Sequence, residues 1–199
     1  MEWSTPGPAL TSGLEWTAVV LNILFTIGIA KGLRAGWLFG GVASCIGVLL
    51  YALQSTWAMC ALNGFYGVMA VYGWWSWGRA EEEHIQRLPL RFHLSAIPVV
   101  LLCTWGLSTV LTHLLNGQLP HLDAFITVMS VLGTLLMARR VLENWLWWVV
   151  GDTVSVYFNY RIGYDGYAIL NVIYIVLSVA GFIRWRRQWR RQQQVGITP

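Results

Sequence analysis

The sequence predicts an all-α integral membrane protein: seven transmembrane helices, arranged as two parallel three-helix repeats joined by a linker helix. Three observations carry this. Of 199 residues, 56% are hydrophobic and only 11% charged, with a mean hydropathy of +0.55, whereas a soluble domain is about a quarter charged. Seven apolar runs approach the ~20 residues that a bilayer core requires. The chain also matches itself when shifted by 108 residues, so that Leu62 falls on Leu170.

The runs cover 14–31, 36–54, 57–77, 94–115, 122–138, 142–160 and 166–185. Turn residues mark the connections at Gly32, Asn116-Gly117, and Gly163 with Asp165-Gly166. Only GRAEEEHIQRLPLRFH, residues 78–93, is a sizeable hydrophilic loop. Residues 1–13 lack a basic n-region and the first run is long enough to span, so no cleavable signal peptide is expected. The domains predicted are a first bundle over 14–77, a loop plus linker helix over 78–115, a second bundle over 122–185, and a basic tail over 186–199.

Charge placement orients the spans. Lys31 and Arg34 follow the first run, Arg79, Arg87 and Arg91 the third, and Arg139 and Arg140 the fifth; five arginines from Arg184 to Arg191 close the seventh. With alternating spans these all fall on one side, and Arg161 alone lies on the other. The positive-inside rule then puts the N-terminus outside and the tail in the cytoplasm. The formal charge of +4 therefore reflects topology, and no nucleic-acid partner is expected.

The self-match extends over both triples of runs. Asn63, Tyr66, Val71, Gly73 and Trp77 fall on Asn171, Tyr174, Val179, Gly181 and Trp185; upstream, Glu15 meets Asp123, Lys31 meets Arg139 and Trp37 meets Trp145. A single intervening span returns the second triple to the orientation of the first, which makes the repeats parallel. Transporters built from such repeats bind substrate near the midplane at the repeat interface.

Three helical faces are candidates for that site. Asn63, Tyr66, Ala70, Gly73 and Trp77 share one face by three-and-four spacing, as do Asn171, Tyr174, Ser178, Gly181 and Trp185. Such stripes suit either interhelical hydrogen bonding or a polar cavity. In ENWLWWVVGDTVSVYFNY, residues 143–160, a third face runs through Trp145, Trp148, Asp152, Ser155 and Asn159. An ionisable residue at membrane depth lines a cavity or pairs with a polar neighbour. An inward tryptophan beside a carboxylate suits a flat cationic ring.

Catalysis finds no support. There is no H-E-x-x-H, G-x-S-x-G, Walker or dinucleotide-binding motif, so neither an enzyme nor an ATP-driven pump is expected. Cys45, Cys60 and Cys103 lie in separate apolar runs and read as core residues, and the four histidines lack metal-ligand spacing. No cofactor or metal is expected.

YGWWSW at 72–77, ENWLWW at 143–148 and the closing G-F-I-R-W at 181–185, within a likeness spanning 14–187, resemble the PnuC family of vitamin transporters. The resemblance implies a full-length relative of the SWEET sugar transporters, a homotrimer in the bacterial inner membrane. It also implies facilitated diffusion of nicotinamide riboside, trapped by a separate cytoplasmic kinase. Carried onto this sequence, Tyr72 and Trp74 match the family's first aromatic motif and Trp145 and Trp148 its second. Asn63 stands where nicotinamide riboside members have Gln, Ala70 where Asn is common, and Asn171 where Tyr is common; thiamine and riboflavin, carried by relatives, thus remain alternatives. The expected substrate-binding set is Asn63, Tyr66, Tyr72, Trp74, Trp145, Trp148, Asp152, Asn171 and Tyr174, around which the two bundles rock without ATP. Rivals are a carrier using Asp152 as a proton-carrying group and a non-transporting membrane scaffold or sensor.

Overall fold

The computed structural model describes residues 8–53, 57–78, 84–115, 119–161 and 165–194. They form seven helices: α1 (Pro8–Ala30), α2 (Gly36–Leu53), α3 (Trp57–Ser76), α4 (Leu90–Leu115), α5 (Pro120–Ala138), α6 (Asn144–Arg161) and α7 (Asp165–Gln194). Arg79, Asn116-Gly117, Gly163 and residues 195–199, used in reading the sequence, lie outside the described residues.

α7 runs on past residue 185, where the last apolar run was expected to end. It continues through RWRRQWRRQ because Arg and Gln are good helix formers and cations are favoured near a helix C-terminus. α5 starts at Pro120, whose missing N–H costs nothing in a first turn.

Among the described residues, α1, α2, α4, α5 and α7 contain stretches long and apolar enough to cross a membrane. α3 and α6 do not reach that mark, for a visible reason. α6 carries Asn144, Asp152, Asn159 and Arg161, and α3 combines Asn63 with glycines, phenols and indoles. Polar faces were predicted on both of these helices and on α7, which reaches the mark nonetheless.

The chain divides into two compact units, 1–82 and 83–199. In the first, α1 packs on α2 and α2 on α3; in the second, α4 packs on α5, α5 on α6 and α6 on α7. α4, expected as a linker, belongs with the second unit.

α1 turns into α2, and α5 into α6, by the same motif. α1 ends with Gly32 at φ 74°, Gly32 N–H donating to Ile29 O and Leu33 N–H to Gly28 O. α5 ends with Arg140 at φ 54°, Arg140 N–H donating to Met137 O and Val141 N–H to Leu136 O. These are the paired bonds of a Schellman cap, which requires a left-handed residue after the helix.

A buried tryptophan at the start of the next helix forms the core of each unit. Trp37 stands edge-on to Trp77, with centroids 5.6 Å apart at 87°, and packs over Gly73. Trp145 stands edge-on to Trp185, at 5.4 Å and 86°, and packs over Gly181. Glycine is required beneath both indoles, because a Cβ there would lie inside them.

Candidate functional site

The predicted residues occupy several environments. Asn63, Tyr66, Asn171 and Tyr174 are half-buried, and each is partnered within the fold. The Asn63 amide lies against Gly47 of α2, leaving no room for a Cβ. Tyr72 is 40% exposed and leans on Trp75, 6.5 Å away. One face of Trp74 is covered by Arg34, whose guanidinium carbon lies 3.9 Å from the ring centroid while Nε donates to the Trp74 carbonyl at 2.6 Å.

α6 brings the remaining three together. Trp145, Asp152 and Ser155 are buried on one face with Trp148 between them, while Leu146, Val150 and Tyr157 face outward. Ser155 Oγ donates to the Gly151 carbonyl at 2.9 Å, and Asn159 Nδ2 donates to the Ser155 carbonyl at 2.9 Å. Both hydroxyl and amide are thus spent along the helix.

Trp148 and Asp152 are not. The Trp148 indole N–H is buried without a hydrogen-bond partner among the described residues, above Gly133 of α5, where a Cβ would approach the nitrogen to 2.9 Å. The Asp152 carboxyl, in a residue 6% exposed, makes no hydrogen bond or ion pair among the described residues. The unsatisfied indole N–H costs on the order of 1–3 kcal/mol, and the Asp152 carboxyl one helical turn away is free to accept from a ligand. Trp145 also has an unpartnered N–H, but it is fully enclosed against Trp185. Ligand stacking on Trp145 would require that core to open.

Sequence reasoning missed a second cluster. Glu143, just before α6, accepts from Arg87 Nε at 3.0 Å and from the Leu88 backbone N–H at 3.2 Å. Trp147 Nε1 donates to His93 Nδ1 at 3.2 Å, and His93 Nε2 lies 3.9 Å from Glu143. Gln86 pairs with the chain at Val141, its N–H donating to the Arg140 carbonyl and its carbonyl accepting from Leu142 N–H. The 84–89 segment is thereby tied to the α5–α6 turn. An acid at a helix N-terminus, favoured by the dipole, was the available signal. Two clefts adjoin this cluster, and none of the nine predicted residues lines either. Among the described residues no group of His, Cys, Asp and Glu could hold a metal.

The family model described as nicotinamide mononucleotide transporter matches residues 12–187. The nicotinamide riboside transporter PnuC of Escherichia coli (strain K12) is 23% identical over 209 residues, covering 88% of this chain and 85% of that protein. The riboflavin/roseoflavin transporter RibM of Streptomyces davaonensis is 28% identical over 199 residues, covering 90% and 88%. The crystal structure of the vitamin B3 transporter PnuC matches with a TM-score of 0.74 at 23% identity, over 90% of this chain and 83% of that one.

Proposed function

Because the chain belongs to the nicotinamide mononucleotide transporter family, and is thus a multi-pass vitamin transporter and not an enzyme, we propose that its substrate is nicotinamide riboside. The observation that carries this reading is the Trp148–Asp152 pair: a buried indole and a carboxyl without a protein partner, one turn apart on α6. A pyridinium ring stacks on an indole face and offers its charge to the carboxylate, while the indole N–H remains to bond a ligand oxygen. In the same unit, Asn171 and Tyr174 of α7 add an amide and a phenol.

Transport is by facilitated diffusion across the bacterial inner membrane, N-terminus outside, in a homotrimer, with each three-helix bundle moving as a body. A cytoplasmic kinase traps the product. The matching Schellman caps and tryptophan cores at positions 108 apart support an origin by duplication and the parallel orientation of the repeats.

A second reading, riboflavin, is favoured by the similarity to RibM. Tryptophan-fluorescence titration of the purified protein with nicotinamide riboside, thiamine and riboflavin separates the readings. Saturable quenching by nicotinamide riboside, weakened in Trp148→Ala, is expected. Saturation by riboflavin or thiamine alone reassigns the substrate, and uptake into liposomes that collapses without a pH gradient replaces diffusion by proton coupling.

A further inference from the structure

Two clefts of the second unit share Arg87, Glu143 and Leu146 as a common wall. The larger, about 560 Å³, runs along Leu90, Ile97 and Leu101 of α4 and is backed by Phe125 and Met129 of α5 and Val150 of α6. The smaller, about 290 Å³, is bounded by Leu142, Phe182 and Trp189, with Arg186 and Arg190 at its edge. They adjoin across this wall, an apolar trough on one side and a basic-edged cleft on the other, and the groove is taken as both together.

Charge and length identify what fits. At the mouth three arginines face one carboxylate, and Glu143 is already matched by Arg87 at 3.0 Å. Arg186 and Arg190, both exposed, retain uncommitted positive charge among the described contacts. Arg87 lies 5.1 Å from the Trp189 ring, and tryptophan favours headgroup depth. From Leu90 to Leu101 the trough descends about 16 Å at ~1.5 Å per residue. That is half of the ~30 Å hydrocarbon core, the depth of one leaflet. A helix from a second chain spans the whole thickness, and a polar solute gains nothing from hydrocarbon walls.

The first unit shows the closed alternative. Positions 34 and 74, which the 108-residue shift places on Leu142 and Phe182, hold Arg34 stacked on Trp74, and the Arg34 guanidinium reaches Gly78. Where the first unit seals its corner with its own cation, the second leaves a basic-rimmed opening.

We infer that this groove binds an anionic phospholipid, with one acyl chain against α4 and its phosphate between Arg186 and Arg190. Native mass spectrometry of the detergent-purified protein, titrated with phosphatidylglycerol or phosphatidylcholine of identical chains, tests this. Phosphatidylglycerol should bind preferentially. Arg186→Ala with Arg190→Ala should weaken it roughly twenty-five-fold, about five-fold per lost arginine, with phosphatidylcholine unchanged. Val150→Trp, which fills the trough, should weaken both lipids. Both arginines are exposed, so the fold should persist, as an unchanged melting temperature will verify. Equal binding of the two lipids, indifference to the arginine pair, or displacement by millimolar inorganic phosphate would overturn the inference. Dissociation of the oligomer by Val150→Trp would overturn it in favour of an interface between copies.

Discussion

Where α1 meets α2, the Phe25 ring fills the space beside Gly40; where α5 meets α6, 108 positions on, Gly133 leaves that space to Trp148. The same volume is filled by one aromatic ring and one glycine, exchanged between the two helices. The exchange has a chemical consequence. Phenylalanine on α1 brings no polar atom, and Ser44, which corresponds to Asp152, returns its hydroxyl to the Gly40 carbonyl at 2.8 Å. The indole on α6 brings a donor and Asp152 a carboxyl, and neither is satisfied among the described residues. At this corner the first unit satisfies its polar group from within, while the second leaves the indole N–H without a partner among the described residues.

The largest effects should fall on what the units share. Trp37→Ala and Trp145→Ala each empty the centre of a three-helix core, at a cost of about 3–5 kcal/mol. Thermal unfolding in detergent should show comparable losses for the two. A Trp145→Ala protein that melts near wild type yet loses ligand quenching would place Trp145 in the binding surface and break the parallel with Trp37.

Grafting the first unit's solution onto the second should separate packing from ligand recognition. Gly133→Phe alone overfills the space under Trp148 and should cost about 1–3 kcal/mol. Adding Trp148→Gly should recover most of that stability, while ligand quenching stays at least about tenfold weaker, a stacked cation on indole being worth ~2 kcal/mol when desolvated. Asp152→Ser, installing the residue of the first unit, should likewise weaken binding of a cationic ligand. It should leave stability unchanged or raised, because it removes a buried carboxyl without a partner.

The parts of this design legible in the sequence are those that recur at short period. Helical spacing places Trp145, Trp148 and Asp152 on one face, and the 108-residue match pairs Trp37 with Trp145. Periodicity identifies a face but not what closes it. Nothing local reveals that Trp185 seals Trp145 while Gly133 makes room for Trp148. YGWWSW marks Trp74 as aromatic, but the guanidinium that covers it comes from Arg34, forty residues away. Arg87 and Glu143, 56 residues apart, are invisible to any local pattern.

Among the described residues that ion pair has no counterpart in the first unit, and it is the next test of the asymmetry. Glu143→Gln leaves Arg87 without its charged partner and weakens the bond to Leu88 N–H. A charge-assisted hydrogen bond contributes about 1.5–3 kcal/mol, and Arg87 is half exposed, so the lower end applies. The expected signature is local: faster amide exchange at Gln86 and Leu88, with α1–α3 unaffected. Equal loosening of both units would mean that Glu143 acts on the whole fold and not on this tie.

The smallest effect concerns the caps, where the two units differ by one residue in a shared geometry. Gly32 and Arg140 both hold positive φ, and nothing lies within 4 Å of where a Cβ on Gly32 would sit. Gly32→Ala therefore meets no steric obstacle and should cost only the left-handed backbone penalty, about 1 kcal/mol. Arg140 already bears that penalty, so Arg140→Gly should regain a similar amount less the contacts of its buried, partnered side chain. Opposite signs in the two melting shifts would show that φ alone governs both turns. A loss in both would show that the Arg140 side chain outweighs its backbone, and that the second unit keeps a strained arginine because its side chain holds the α5–α6 turn.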